Sequence, residues 1–163
     1  MPQASKSGTK SAKSPDAIQL LTAEHKEVDT LFKEYEKLAE KDGSDEEKET
    51  LARQICLMLT VHATTEEEIF YPAAREALDD EDLLDEAEVE HASAKDLIAQ
   101  IESGSPSDPL YDAKVKVLGE YIRHHVKEEE REIFPLARKT KLDLKALGAI
   151  LSEEKDALMR SLA

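Results

Sequence analysis

The feature that most constrains the fold is a His-x-x-x-Glu motif that occurs twice, at residues 62–66 and 125–129. An α-helix repeats every 3.6 residues, so a His and a Glu four apart lie one turn from each other on one face. In both copies the His stands ten residues before a proline that follows an aromatic residue, at Pro72 and Pro135. An imidazole and a carboxylate one turn apart can bind one metal ion, or each can bind one ion of a close pair. Two such helices can therefore enclose a two-metal site.

Composition limits the classes of protein that this chain can belong to. It has 163 residues, of which 36% are charged and 40% hydrophobic, with only 5 Gly and 6 Pro, which favours one helical domain over a sheet protein. The net charge of −15 argues against nucleic acid or an anionic membrane as partner. The single cysteine, Cys56, excludes a disulfide framework and a thiolate metal cage. Without an apolar span or signal core, the sequence predicts a cytoplasmic protein.

Apolar periodicity and turn residues predict an all-α fold. We expect an antiparallel up-down four-helix bundle of two pseudo-symmetric hairpins, with an additional C-terminal helix. Residues 1–14 are predicted to form a disordered tail, residues 15–140 the bundle, and residues 141–163 a helix packed on it. Ser14 is expected to cap the first helix, with Pro15 at its first helical position. A kink is expected at Pro72, which cannot donate a backbone hydrogen bond.

Two further histidines fall on the apolar faces of the first and third helices. The pairs Glu24-His25 and Glu90-His91 repeat at a spacing of 66, close to the 63 that separates the two motifs. Counting residues from the first turn places His25 at the height of His62 in an antiparallel pair. The same count leaves a mismatch of roughly 7 Å in the second hairpin, which helix tilt or a late helix start must absorb.

A lone histidine on an apolar helix face is more often a core residue than a ligand. Four histidines on four separate inward faces favour a ligand role instead. Burying them together with two carboxylates and no partner would cost several kcal/mol, and a pair of metal ions would remove that cost. The predicted donors are His25, His62, Glu66, His91, His125 and Glu129. His124 also lies four residues before a glutamate, but its face is charged and we expect it in solvent. In the Glu-rich runs 66–68 and 128–130, only the first inward-facing glutamate is expected to be in use.

The donor set restricts the metal. Four imidazoles and two carboxylates without thiolate suit iron or manganese better than zinc, which prefers four donors. If both glutamates bridge, each metal has two nitrogen and two oxygen ligands. An octahedral ion then keeps about two positions, for a bridging oxide or hydroxide and for an exogenous ligand.

The order His, His-x-x-x-Glu, His, His-x-x-x-Glu, with FYP and IFP after the two Glu-rich runs, resembles the hemerythrin family and its bacterial HHE cation-binding domains. The resemblance covers about residues 16–138 and implies a four-helix bundle with a non-haem diiron centre. It implies His25, His62, His91 and His125 as terminal ligands, and Glu66 and Glu129 as bridges. Two departures count against reversible oxygen carriage. Lys95 stands where oxygen carriers have a further histidine, and the last carboxylate is a Glu at four residues rather than an Asp at five.

Three functional classes remain for a site that takes a small diatomic or peroxide ligand. One is a protein that binds or senses oxygen, nitric oxide or iron, and another is a metal-stabilised scaffold. The third is an oxidoreductase that consumes peroxide, for which we assign a buried Tyr121, one turn before His125, as the candidate catalytic residue. Lys95 is expected to carry its charge out to solvent rather than bind iron. Met58, Leu59 and Ile122 are expected to line an apolar pocket at the site.

Overall fold

The computed structural model describes residues 14–163, so the predicted disordered tail lies almost entirely outside the described residues. Within residues 14–163 every regular element is a helix, which confirms the all-α prediction. The elements are α1 (Ala17–Glu40), α2 (Asp45–Thr65), the π-helical turn π1 (Glu66–Phe70), α3 (Tyr71–Ala77), α4 (Glu81–Ser103), α5 (Tyr111–Glu128), the π-helical turn π2 (Glu129–Ile133), α6 (Phe134–Arg138) and α7 (Leu144–Leu162). Because α2–π1–α3 and α5–π2–α6 are continuous, the chain forms four bundle helices and a fifth C-terminal one.

The first helix begins two residues later than the sequence predicts. Asp16, not Ser14, is its N-cap, and the Asp16 carboxylate accepts a hydrogen bond from the Gln19 amide at 2.8 Å. The Gln19 side chain accepts one from the Asp16 amide in return, at 3.0 Å. This reciprocal capping box satisfies two of the backbone donors at the start of the helix.

A π-helical turn precedes each of the two prolines. Pro72 has no N–H, and its ring would clash with the carbonyl four residues earlier in a regular α-helix. In π1 the Tyr71 amide instead donates to the carbonyl of Glu66, five residues back, and in π2 the Phe134 amide donates to that of Glu129. The wider π-helical turn accommodates the proline that follows it. In both copies this turn begins at the glutamate of the motif.

The mismatch expected in the second hairpin is mostly removed by a late helix start. Helix α5 begins at Tyr111 rather than at the preceding prolines. His91 then lies twelve residues before the end of α4, and His125 fourteen after the start of α5. The remaining offset is about 3 Å at 1.5 Å per residue. The two imidazole rings meet with their centroids 4.7 Å apart.

The apolar core consists of two clusters, one at each end of the bundle. Phe70, Tyr71 and Phe134 belong to the first cluster, and Phe32 and Ile55 to the second. Along each of the four long helices, the inward histidine stands between a residue of one cluster and a residue of the other. The polar site is therefore a mostly buried layer between two apolar halves.

The fifth helix, α7, packs on α1, α2 and π1, as the expected additional helix. Its approach depends on Gly148, because a Cβ there would lie 2.7 Å from the carbonyl oxygen of Pro15. Asp143 caps α7 by accepting from the Ala146 amide at 3.0 Å, as predicted from the sequence. Among residues 14–163, the structure contains no helix both long and apolar enough to cross a membrane.

Candidate metal centre

The six predicted donors converge in the layer between the two core clusters. His25, His91 and His125 are 5–6% exposed, and the side chain of His62 is 12% exposed. Glu66 and Glu129 are completely buried. In each motif the His lies near the end of the α-helical segment and the Glu begins the π-helical turn. The two side chains point the same way, as the four-residue spacing predicts.

The donors fall into two groups that share a carboxylate. His25, His62, Glu66 and Glu129 form one group, with potential ligand atoms all within 4.8 Å of one another, and Glu66, His91 and His125 form the other. In the first group, His62 Nε2 lies 3.2 Å from Glu66 Oε1, and His25 Nε2 lies 3.1 Å from Glu129 Oε1.

Both carboxylates reach both groups. Glu66 Oε1 also lies 3.2 Å from His91 Nε2, and Glu129 Oε2 lies 3.5 Å from His125 Nε2. Each glutamate is therefore near one imidazole of either group.

Four buried atoms of this layer have no hydrogen-bonding partner among the described residues: His25 Nε2, His62 Nε2, Glu66 Oε2 and Glu129 Oε1. Buried polar atoms are almost always satisfied, so four orphans at one place require an explanation. Metal ions supply one, because each orphan is a lone-pair donor of the type that binds a transition metal. The donor set thus fits a pair of metal ions.

Each of the four histidines is held at its other ring nitrogen by a carboxylate. The Nδ1 atoms of His25, His62, His91 and His125 lie 2.6–2.8 Å from Glu130, Glu24, Glu67 and Glu90, respectively. Such a bond fixes the proton on Nδ1 and leaves the Nε2 lone pair pointing into the site, as in metal-binding histidines generally.

These pairs correct one expectation and strengthen another. The sequence analysis treated Glu67 and Glu130 as surface residues, whereas each holds a histidine of a neighbouring helix. The pairs obey the predicted pseudo-twofold: Glu24 to His62 corresponds to Glu90 to His125 within each hairpin. The recurring Glu-His dipeptide was the sequence signal for these pairs. In each copy, its glutamate accepts a hydrogen bond from the histidine of the next long helix.

Two lysines extend this network, and both line the cavity beside the histidines. Lys155 of α7 pairs with Glu24 at 3.2 Å, and Lys95 of α4 pairs with Glu67. The Lys95 side chain is 52% exposed, which confirms the expectation that it carries its charge toward solvent. The His124 side chain is 66% exposed and belongs to a surface group with Glu90 and Glu128, as expected for a solvated residue.

Electrostatics in the protein without metal show how strongly these groups interact. Burial acts to lower the pKa of His125, but the Glu129 carboxylate raises it to about 9. His62 is likewise buried, and Glu66 and Glu24 raise its pKa well above the usual range. Burial acts to raise the pKa of Glu129, yet the neighbouring imidazoles of His125 and His25 hold it well below its ordinary value. Without metal ions, protonated imidazoles thus supply the positive charge that balances the two buried carboxylates.

A tyrosine that sequence reasoning did not assign to the site lies at its centre. The Tyr71 hydroxyl donates to Glu129 Oε2 at 2.5 Å and lies 3.3 Å from both Glu66 Oε1 and His125 Nε2. Burial and the charges of Glu66 and Glu129 raise its pKa well above the usual range. The aromatic-proline pair after each Glu-rich run was the available clue, since the proline forces the π-helical turn that brings Tyr71 inward.

Tyr121, by contrast, is not a buried site residue. It is 48% exposed, so the catalytic role assigned to it from the sequence is withdrawn. It lines an apolar cavity of about 350 Å³ next to the four histidines, together with Met58, Leu59 and Ile122. Those three residues occupy the pocket that the sequence predicts for them.

Fold and site together define a metal-binding helical bundle with histidine and glutamate donors on four inward faces. A sequence profile of the Hemerythrin HHE cation binding domain family matches residues 16–137, and the chain belongs to this family.

Two known proteins are similar to the chain. One is a DNA nickase from Nostoc sp., which is 32% identical over 123 residues; these cover 73% of this chain but only 32% of that protein, so the chain spans about a third of its length. The crystal structure of a Hemerythrin HHE cation binding domain-containing protein, the Rv2633c homolog from Mycobacterium kansasii, has the same fold. It superposes with a TM-score of 0.74 over 90% of this chain and 89% of that one, at 22% identity.

Proposed function

We propose that this chain is a non-haem diiron protein that binds and consumes peroxide at its buried His/Glu site. The observation that carries the proposal is the convergence of four Nε2 atoms on two fully buried carboxylates, with every Nδ1 already held by another carboxylate. The imidazoles would be terminal ligands. Glu66 and Glu129 would bridge, since each lies near an imidazole of both groups.

Iron is favoured over zinc by the number and type of donors. The chain would give each ion two nitrogen and two oxygen donors and no thiolate. Four donors would fill a tetrahedral zinc ion, whereas octahedral iron would keep two positions open for a ligand. Manganese has similar preferences and is the alternative metal. Bound iron would supply open coordination positions and a change of oxidation state for oxygen or peroxide.

The chain's own residues would keep this chemistry dry and supply a proton. The two core clusters exclude bulk water from the layer that contains the donors. The Tyr71 hydroxyl would supply the proton from within the donor layer, 2.5 Å from Glu129 Oε2 and 3.3 Å from His125 Nε2, on the side of the histidines away from the cavity. Tyr71 thus takes the role that the sequence analysis gave to Tyr121. Lys95 offers no further nitrogen to the site, which favours peroxide consumption over reversible oxygen carriage.

A second candidate is a sensor that binds oxygen or iron without turnover. The ion pair between Lys155 and Glu24 favours it, because Glu24 also holds His62. A change in the position of His62 could in this way reach the additional helix α7. The two candidates share the metal site and differ in turnover.

The name of the Nostoc relative does not carry over to this chain. The match covers about a third of that protein, and DNA is a polyanion that a chain of net charge −15 repels. We propose small peroxide or diatomic ligands as partners, neither nucleic acid nor membrane, and a cytoplasmic location.

Metal analysis and peroxide assays test the proposal. The protein is purified anaerobically with iron supplied, its metal content is measured, and its optical spectrum is recorded before and after air or hydrogen peroxide is added. We expect two iron ions per chain, a new absorption band on oxidation, and loss of peroxide over many turnovers. Two irons with no turnover would favour the sensor, whereas one metal or none would refute the diiron assignment. His124→Ala serves as a matched control, because His124 is next to a donor but faces solvent.

A further inference from the structure

A cavity of about 350 Å³ adjoins the metal centre, and all four site histidines form part of its lining. Tyr71 is not among its lining residues, since it belongs to the core cluster on the other side of the donor layer. The donors therefore have one face toward packed aromatic residues and one face toward open space. A ligand that reaches the site must occupy this space.

The cavity extends well beyond the volume that metal ions would fill. It reaches Ile98, seven residues after His91, and Gln54, eight residues before His62. At 1.5 Å per residue these distances correspond to about 10–12 Å along the bundle. Metal ions and a bridging oxygen would lie in the donor layer, so most of this length remains for another occupant.

The lining defines the chemistry of that occupant. Above the histidines the walls are chiefly aliphatic or aromatic: Val28, Leu57, Met58, Ala94, Ile98 and Ile122. A dry apolar cavity of about 150 Å³ accepts one benzene molecule, so 350 Å³ accommodates roughly fourteen non-hydrogen atoms. The charged lining residues are Glu24, Glu27, Glu90, Lys95 and Lys155. Both lysines already pair with carboxylates, Lys95 with Glu67 and Lys155 with Glu24, which disfavours an anionic ligand.

We propose that this cavity binds the apolar body of a neutral organic molecule whose oxygen-bearing end points to the metal centre. Alkyl and aryl hydroperoxides and their alcohols belong to this class. The proposal concerns binding alone: it rests on the proposed peroxide function and narrows the peroxides that fit the site to those with a compact apolar group. Tyr121, a lining residue that is 48% exposed, marks where the cavity meets the surface.

Calorimetric titration with 2-phenylpropan-2-ol tests binding without any turnover. This alcohol has a phenyl group, a small aliphatic part and one hydroxyl, and it is not consumed. We expect saturable binding of one molecule per metal-loaded chain. The carboxylate 4-(2-hydroxypropan-2-yl)benzoate, which carries its charge on the phenyl ring away from the hydroxyl, should not bind, because its charge would be buried among apolar side chains.

Two substitutions in α4 locate the binding site. Ala94→Leu adds three carbons inside the cavity, one turn after His91, and should weaken alcohol binding at least about tenfold. Each apolar carbon kept out of the cavity lowers affinity by roughly a factor of four. Ala99→Leu makes the same change on the exposed face of the same helix and should bind as the unaltered protein does. Met58→Phe, at a half-buried position, replaces Ala94→Leu if circular dichroism shows that the latter is unfolded.

The outcomes separate this inference from the diiron proposal, because metal content and spectrum are measured on the same samples. Two irons per chain with no saturable alcohol binding would overturn the cavity inference and leave the diiron proposal standing. Alcohol binding that Ala94→Leu and Met58→Phe leave unchanged would place the ligand elsewhere and also overturn it. Equal binding of the carboxylate would refute the neutral class. Alcohol binding to a protein that takes up no iron would refute the diiron proposal alone.

Discussion

The ion pair that links the additional helix to the metal centre gives the sharpest test of this site. Lys155 Nζ of α7 lies 3.2 Å from Glu24 Oε2, and Glu24 Oε1 lies 2.6 Å from His62 Nδ1. The Glu24 side chain is only 8% exposed, and that of Lys155 is 29% exposed. Lys155→Met keeps the length of the side chain and removes its charge, so the Glu24 carboxylate loses one of its two partners.

The expected decrease in the free energy of unfolding on Lys155→Met follows from the burial of this ion pair. A hydrogen bond to a charged group contributes about 1.5–3 kcal/mol, and partial exposure of Lys155 reduces this to about 1–2 kcal/mol. For a chain of this length, that is a decrease in melting temperature of about 2–8 °C. The Lys95–Glu67 pair is the matched control, because Glu67 likewise holds a site histidine, His91. Its lysine is 52% exposed, so Lys95→Met should cost only about 0.5 kcal/mol.

Thermal unfolding of the metal-free proteins, followed by circular dichroism, measures both effects. A double-mutant cycle completes the experiment: in a Glu24→Gln background, Lys155→Met should have almost no further effect, because its partner charge is gone. If Lys155→Met destabilises no more than Lys95→Met, or if its effect persists with Glu24→Gln, the coupling of α7 to the site through Glu24 is wrong.

Four further predictions concern the site and the core. His125→Ala should reduce metal content below two ions per chain while His124→Ala keeps it unchanged, as metal analysis will measure; the reverse result would refute the assignment of the inward face. In the metal-free protein the pKa of His125 is raised to about 9, so its stabilising contribution should be complete below about pH 6.5 and lost as the pH rises through about 9. Urea unfolding from about pH 6 to about pH 10 tests this, and a His125→Gln variant with the same pH dependence would contradict it. Burial raises the pKa of the Cys56 thiol to about 12, so iodoacetamide should label it at neutral pH only after unfolding, and rapid labelling of the folded protein would argue against its burial. Tyr71→Phe should keep both metals but slow peroxide turnover by about 10²–10⁴-fold, the usual contribution of a proton donor, and an unchanged rate would remove Tyr71 from the chemistry.

The sequence by itself determined the helices and the six donors. A His and a Glu four residues apart share a helix face whatever the helix packs against, so the two motifs could be assigned before any tertiary contact was known. The inward positions of His25 and His91 followed from the apolar stripes that surround them. Turn residues set most helix ends to within a few positions, with the first N-cap as the exception, because two adjacent polar residues could both serve.

Tertiary structure decided which residues surround the donors. Tyr71 is five residues after Glu66 and would point away from it in a regular α-helix, but the π-helical turn forced by Pro72 brings it to the same face. Tyr121 lies eight residues before Glu129, which is two turns plus about 80°, so it falls at the edge of the bundle and meets solvent. The pairing of Glu67 with His91, and the cavity beside the histidines, depend on how far apart neighbouring helices lie. Helix periodicity fixes the direction of a side chain around its own axis, whereas contacts between helices depend on distances and tilts that only the packed bundle sets.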